Sequence, residues 1–103
     1  MYQEFPKSWR DQLQTLGFSE ATPIQKEAYK PIFTGKNLLG FSPTGTGKTL
    51  AYLWPSLLKL TPKKSQQLLI LSPNTELAGQ IFEVCKQWAQ PLGLTAQLFL
   101  SGS

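Results

Sequence analysis

The sequence predicts an α/β fold, in which a parallel sheet of about three strands is flanked by helices. Three short apolar segments, residues 38–41, 67–72 and 95–100, have the length and composition of buried strands. Segments with helical periodicity lie between them, and this alternation places consecutive strands parallel in one sheet. Ligands collect at the carboxyl ends of such strands, so we expect functional residues in the loops that follow them.

Two helices are expected before the first strand. Residues 7–16 carry apolar side chains at helical spacing, and Gly17 is a typical residue just past a helix end. A second helix should begin at Thr22 and Pro23, because threonine caps helix N-termini and proline suits the first helical position. Pro31 is expected to bend or end that helix.

Two further helices are expected after the first strand. One covers residues 48 to about 60, with a kink at Pro55. The other follows the second strand, is capped by Asn74 or Ser72, and stops before Pro91.

The composition is that of one small folded unit. The chain has 103 residues, 41% apolar and 16% charged, without a repeat, a low-complexity tract or an evident interdomain linker. No apolar run approaches the ~20 residues of a membrane-spanning helix. We therefore interpret residues 1–103 as a single domain or a portion of one.

Cysteine and histidine content excludes some chemistry. Cys85 is the only cysteine and there is no histidine, so a Cys/His metal site and histidine-based catalysis are both excluded. A lone thiol makes no internal disulfide, and the first residues lack the apolar stretch of a secretory signal. We expect an intracellular, cytoplasmic setting.

The charge is mildly basic. Ten basic residues against six acidic ones give a net charge of +4, which is compatible with a polyanionic partner. The lysines are scattered along the chain, however, so charge alone favours ordinary solvated faces over nucleic-acid binding.

The stretch SPTGTGKT, residues 42–49, has the pattern of a phosphate-binding loop. Gly45 and Gly47 let backbone N–H groups approach a phosphate, and Lys48 supplies a mobile cation. The Thr49 hydroxyl is suited to Mg²⁺ at the β and γ phosphates. Ser42 stands where the generic signature has glycine. The alternative is an ordinary glycine-rich turn between a strand and a helix.

Together with its neighbours, this loop resembles the first motifs of the DEAD-box family of ATP-dependent RNA helicases. GFSEATPIQ, residues 17–25, is similar to the adenine-reading Q motif of that family, SPTGTGKT to its motif I, and PNTELAGQ, residues 73–80, to its motif Ia. The resemblance covers essentially the whole chain. It implies a RecA-like P-loop NTPase domain, of which residues 1–103 would be the N-terminal portion.

The resemblance also implies a set of ATP-site residues, with Mg²⁺ as the accompanying ion. Lys48 and Thr49 would contribute to catalysis, with Thr49 also holding the metal through its hydroxyl. The implied cofactor-binding residues are Phe5, Thr22, Gln25, Thr44, Gly45, Thr46, Gly47, Lys48 and Thr49.

Gln25 has two interpretations. Its amide can pair with adenine N6 and N7, and by resemblance it would select ATP over GTP. Thr22 and Gln25 also have the spacing of a capping box, in which Gln25 fixes the start of the helix. The two roles are compatible.

The aromatic residue expected to stack on adenine is also open. By resemblance the candidate is Phe5, although it lies closer to Gly17 than in the family. Tyr2 or Trp9 are alternatives, and so is a purely core-packing role. Ala21 replaces a proline that is usual in the family.

Motif Ia departs from the family pattern. Asn74 and Thr75 stand where the family has a threonine and an arginine directed at RNA phosphates. Both can donate hydrogen bonds, but a charge-assisted contact is lost, so RNA affinity from this segment should be weak. The alternative is that both residues only start a helix.

The acidic residue that phosphoryl transfer requires is missing. The family supplies it in an Asp-Glu-Ala-Asp motif, whereas Asp11 is the only aspartate here and precedes the phosphate loop. The sequence therefore predicts an ATP-binding fragment of a helicase that has no ATPase activity by itself. Exposed strand edges would favour its self-association.

Two other classes of function stay open. One is a non-catalytic nucleotide- or phosphate-binding module. The other, less favoured, is a small P-loop kinase, which would need a lid with several arginines, whereas Arg10 is the only arginine.

Overall fold

The structure is a computed structural model that describes residues 1–45 and 47–101. The chain divides into two compact units, Met1–Leu58 and Lys59–Ser103. The regular elements of the described residues are four α-helices and two short 3-10 turns.

The predicted parallel sheet is wrong. The described residues form no strand, and the three apolar segments expected to build the sheet run without regular structure. Their composition is typical of strands, but a strand also needs a neighbour to which its backbone is hydrogen-bonded. The described part of the chain offers these segments no such neighbour. The α/β fold of about three strands is therefore replaced by a helical arrangement.

The first unit contains helices α1 (Lys7–Leu16), α2 (Pro23–Phe33) and α3 (Lys48–Leu58), preceded by a 3-10 turn at Tyr2–Glu4. The predicted bounds of α1 are confirmed. Its end is fixed by Gly17, which adopts φ 76° and donates its N–H to the carbonyls at the end of α1. The left-handed conformation costs glycine little, which explains why the helix stops there.

Helices α2 and α3 pack together over an aromatic core. Phe5 lies at its centre, with its ring 5.1 Å from that of Trp9 and 5.3 Å from that of Trp54. The three rings meet at steep angles, as aromatic rings in cores prefer. Phe5 thus joins α1, through Trp9, to α3, through Trp54.

Proline lies inside both packed helices. Pro31 neither ends α2 nor prevents it from continuing to Phe33. Pro55 is buried inside α3, which ends at Leu58, close to the predicted end.

The second unit contains helix α4 (Thr75–Ala89), followed by a 3-10 turn at Gln90–Leu92. Asn74 caps α4, because its side-chain oxygen accepts the N–H of Leu77 at 2.8 Å. The helix buries Cys85 and Trp88, and the chain then turns at Gly93, φ 75°. The predicted cap and the predicted end before Pro91 are confirmed.

Within residues 1–45 and 47–101, no helix has both the length and the apolar character needed to span a membrane.

Candidate functional site

The candidate site is built around Gln25, a buried polar side chain of the first unit that is 5% exposed. Its side-chain oxygen accepts the N–H of Thr22 at 2.9 Å. The Thr22 hydroxyl in turn accepts the N–H of Gln25, at 3.5 Å. This reciprocal arrangement is a capping box, so the capping interpretation of Gln25 is confirmed.

The same glutamine amide reaches a second segment. Gln25 Nε2 donates to the carbonyl of Gly47, at 3.3 Å. That carbonyl also accepts the N–H of Ala51 in the first turn of α3, at 3.0 Å. One side chain therefore ties the start of α2 to the start of α3, where the predicted phosphate loop ends.

The Gln25 side chain packs closely against Gly47. It adopts φ 81°, a left-handed conformation that favours glycine. A Cβ at this position would collide with Gln25 Nε2. A residue with a side chain would thus disturb both the backbone and the glutamine amide, which is a structural reason for glycine here.

Most of the other described residues of the predicted phosphate loop are exposed to solvent. Thr44 and Gly45 form an exposed turn, and Gly45 has φ 85° with open space around it. Lys48 is the first residue of α3 and is exposed, while Thr49 is half-buried. Thr46 lies outside the described residues. The arrangement presents a lysine and the N-terminal end of a helix to solvent, which is suited to an anion.

The aromatic candidates differ in accessibility. Phe5 is 3% exposed and Trp9 is fully buried, so both rings are engaged in the core. Tyr2 is half-buried, with its ring 5.6 Å from that of Trp54, and burial raises the pKa of its phenol. Of the three, only Tyr2 keeps part of its ring accessible.

Tyr2 also borders a groove of about 520 Å³ in the first unit, lined in addition by Gly17 and Phe18. Phe18 is 41% exposed and belongs to the stretch that resembles the Q motif. Phe18 is not among the aromatic candidates that the sequence motifs indicate. Its position directly after Gly17, between two helices rather than on a helical face, was the signal that could have found it.

Three of the six acidic residues form ion pairs with lysines. Asp11 pairs with Lys7 at 2.9 Å on the exposed side of α1, and Glu83 pairs with Lys86 at 3.4 Å on α4. Glu20 pairs with Lys26, whose hydrogen bond lowers the pKa of that carboxyl. In the part of the chain that the structure describes, three or more potential metal ligands are nowhere grouped together.

Asn74 and Thr75 lie in the second unit, at the start of α4. The side-chain oxygen of Asn74 accepts the Leu77 N–H and so caps the helix. Thr75 is the first residue of α4 and is exposed. Their helix-starting role is thus observed, and any contact with RNA stays a prediction.

Comparison with known proteins identifies the class of this arrangement. The model of the DEAD/DEAH box helicase family matches residues 22–103, which include the capping box, the loop and α4. The chain belongs to the DEAD/DEAH box helicase family, and the resemblance inferred from its motifs is confirmed.

Individual relatives agree with this assignment. The chain is 44% identical to the DEAD-box ATP-dependent RNA helicase 57 of Oryza sativa over 76% of its length, and 42% identical to the ATP-dependent RNA helicase dhh1 of Neurospora crassa over 84%. It spans only 15% and 16% of those two relatives.

A solved structure is also similar. The crystal structure of the RNA helicase Prp28 from Chaetomium thermophilum, bound to ADP, matches with a TM-score of 0.80 and 33% identity. The match covers 96% of this chain and 26% of Prp28.

Proposed function

We propose that this chain is the ATP-binding opening portion of a DEAD-box RNA helicase, whose complete form couples ATP hydrolysis to the separation of RNA duplexes. The observation that carries the proposal is the buried Gln25 amide, which joins the capping box to the Gly47 carbonyl. Residues 1–103 form the N-terminal portion of the helicase ATP-binding domain in this proposal.

The hydrogen bonds of Gln25 to Thr22 and Gly47 do not use all the donors and acceptors of its amide. An amide oxygen accepts two hydrogen bonds and an amide NH₂ donates two. One acceptor site is taken by Thr22 N–H and one donor by the Gly47 carbonyl. The second acceptor and the second donor suffice for adenine N6 and N7. Capping and adenine recognition can therefore share one side chain.

The loop supplies the phosphate end of the site. We assign the contacts with the ATP phosphates to the backbone of residues 44–47 and to the Lys48 ammonium group. We assign the contact with the accompanying Mg²⁺ to the Thr49 hydroxyl. The supporting geometry is the exposed turn at Gly45 beside the N-terminus of α3. Mg²⁺, when bound with the nucleotide, would neutralise charge on the phosphates.

Equilibrium dialysis with ATP, GTP and inorganic tripolyphosphate tests the site. Lys48→Ala should weaken all three, whereas Lys30→Ala, a change at an exposed lysine of α2, should weaken none. Gln25→Ala should reduce the preference for ATP over GTP about tenfold, as expected when a bidentate base contact is lost. Gln80→Ala, at an exposed glutamine of α4, is the matched control. An unchanged preference in Gln25→Ala would refute the adenine role.

The aromatic contact can be assigned by the same measurement. We place adenine stacking on Tyr2 or Phe18, because their rings are accessible and border one groove, whereas Phe5 is buried. Tyr2→Leu and Phe18→Leu should each be compared with wild type for ATP and tripolyphosphate. Loss of ATP affinity with tripolyphosphate binding retained identifies the stacking ring.

RNA contact by this portion is proposed to be weak. The Asn74 amide nitrogen and the Thr75 hydroxyl are left to donate to RNA phosphates, and neither is charged. Binding should therefore show a shallow salt dependence.

The isolated chain should not hydrolyse ATP. Asp11, its only aspartate, is paired with Lys7 on α1. Turnover that Lys48→Ala abolishes would refute this proposal. The alternative function is a non-catalytic phosphate-binding module. Such a module would bind tripolyphosphate with the same affinity as ATP.

We also propose that the isolated chain self-associates through its exposed apolar segments, such as residues 38–41, where Leu39 and Phe41 are largely exposed. Sedimentation over a range of concentrations that shows only monomer would exclude it.

A further inference from the structure

The groove that Tyr2 and Phe18 border also contains the guanidinium group of Arg10. Leu13, which is 3% exposed, supplies apolar surface between the aromatic rings and this cation. The described residues that line the groove include no carboxylate. Aromatic, apolar and cationic groups thus face the same space, a combination that is suited to a flat ring with hydrogen-bond acceptors on its edge.

Arg10 is held in a defined orientation. Its Nε donates to the carbonyl of Phe5, at 3.2 Å. The N–H of Phe5 in turn donates to the carbonyl of Tyr2, at 3.0 Å. The guanidinium group is therefore anchored to the same turn that carries Tyr2. Because the guanidinium is planar and rigid, an anchor at Nε restricts the directions in which its Nη atoms can donate.

The Nη atoms of Arg10 remain available to a ligand. Within residues 1–45 and 47–101, the side chain of Arg10 forms no ion pair, and its one described hydrogen bond is made by Nε. In the same unit, Lys7 and Lys26 are paired with carboxylates. A guanidinium group has donors and no acceptor, so the ligand atoms that it contacts must be acceptors.

The groove ends close to the Gln25 amide along the chain. Ser19 lines the groove, and three residues later the N–H of Thr22 donates to the side-chain oxygen of Gln25. Three residues span at most about 10 Å, which is within the length of a purine nucleoside. A single base can therefore contact Gln25 while its ring occupies the groove.

The chemistry of adenine matches this division of contacts. If N6 and N7 pair with the Gln25 amide, the acceptors that remain on the ring are N1 and N3. Guanine carries a hydrogen on N1 and an amino group beside N3. The donors of Arg10 would therefore match adenine at either atom, whereas guanine would place a donor against them.

We infer that Arg10 is a further base-recognition residue, whose Nη atoms donate to a ring acceptor of adenine, N1 or N3, while the Gln25 amide pairs with N6 and N7. The inference rests on the proposed function, because it places ATP in this site. It adds a residue that lies outside the three stretches that resemble family motifs, residues 17–25, 42–49 and 73–80.

Deaza analogues of ATP test this contact. In 1-deaza-ATP and 3-deaza-ATP a C–H group replaces N1 or N3, while N6 and N7 are retained for Gln25. Equilibrium dialysis of the full 103-residue chain measures both analogues beside ATP. The wild-type chain should bind one of the two analogues at least about tenfold more weakly than ATP, as expected when a hydrogen bond to a charged donor is lost.

Arg10→Met should remove this preference. Methionine keeps an unbranched side chain but has no donor, so the variant should bind ATP and the sensitive analogue with equal affinity. Each ratio is taken within one protein, so a general loss of stability does not affect it. Arg10→Lys, which keeps the charge without the planar fork, should retain only part of the preference.

The matched control is Lys7→Met, which removes a cation from the same helix outside the groove. It should keep the wild-type ratio between ATP and the sensitive analogue. Tripolyphosphate affinity should be unchanged in Arg10→Met, because the inferred contact is with the base.

Three results would overturn the inference. The first is a wild-type chain that binds ATP and both analogues equally, and the second is an Arg10→Met variant that keeps the wild-type ratio. The third is an equal loss of ATP and tripolyphosphate binding in Arg10→Met, which would place the guanidinium on a phosphate. A preference for ATP over GTP that Gln25→Ala reduces, without any effect of the deaza analogues, would overturn the role of Arg10 and leave the proposed function standing. A chain that does not bind ATP would overturn both.

Discussion

At the scale of residues, the geometry depends on the contact between Gln25 and Gly47. The Gln25 amide is buried and is hydrogen-bonded to both Thr22 and Gly47. A substitution at the start of α2 should therefore also affect the start of α3, and the reverse. The capping spacing of Thr22 and Gln25 was predictable because a capping box lies within four consecutive residues. The contact with Gly47 was not, since the two residues are separated by 22 positions.

Gly47→Ala should lower the free energy of unfolding more than Gly45→Ala. Both glycines have positive φ, and alanine pays about 1–2 kcal/mol in that conformation. At Gly47 the new Cβ also collides with Gln25 Nε2, whereas at Gly45 it meets open space. The overpacking adds about 1–3 kcal/mol, which urea unfolding would measure. Combination with Gln25→Ala should remove the excess; an excess that survives would contradict the collision.

Gln25→Glu tests the polarity of the contact. At neutral pH the carboxylate lacks the donor that Gln25 Nε2 directs at the Gly47 carbonyl, and two acceptors then face each other. We expect a loss of about 1–3 kcal/mol of stability relative to Gln25. Burial beside a carbonyl should raise the pKa of this new glutamic acid, so part of the stability should return as the pH is lowered. A thermal unfolding series from pH 4 to pH 8 measures the recovery.

At the scale of elements, the sequence predicted the helices correctly, whereas the sheet that it predicted is absent from the described residues. Caps, glycine stops and helical spacing act within a few residues, so the start of α2, the end of α1 and the cap of α4 were all correctly anticipated. The apolar segments 38–41, 67–72 and 95–100 had the composition of strands. A strand exists only with a hydrogen-bonded neighbour, however, and this is a non-local property that composition does not contain.

The cap of α4 can be separated from any RNA contact. Asn74→Ala should lower the stability by about 1 kcal/mol, because the Leu77 N–H loses its acceptor. Asn74→Asp should keep that stability, since aspartate is as good a cap, but should weaken binding to an RNA oligonucleotide through charge repulsion. RNA affinity equal to wild type in Asn74→Asp would exclude the RNA role of Asn74.

Cys85 should be unreactive in the folded chain. Burial raises the pKa of its thiol, so the thiolate is scarce near neutral pH. Iodoacetamide at pH 8 should modify the native chain at least about tenfold more slowly than the chain in urea. The folded state holds the proton of the Cys85 thiol more tightly than the unfolded state does. The stability that this proton contributes is therefore complete below the pKa of the thiol in the unfolded chain, and it is lost as the pH rises through the pKa of the thiol in the folded chain.

At the scale of the whole molecule, two compact units are joined in a chain of 103 residues. The family could be identified from three short motifs because they come in the family's order, which chance does not readily reproduce. The exposed apolar segments could not be anticipated in this form, since their composition predicts burial and composition alone does not say which residues cover a segment.

The hydrogen bonds that Gln25 makes to Thr22 and Gly47 should also couple the local opening of the two helix starts in the first unit. Local opening of a protein proceeds in cooperative units, and an amide exchanges its hydrogen only when its own unit opens. The Thr22 N–H is held by Gln25, and the Ala51 N–H is held by the Gly47 carbonyl that Gln25 also contacts. These two amides, 29 positions apart by the residue numbers, should therefore exchange at matched rates, and Gln25→Ala should let their rates diverge.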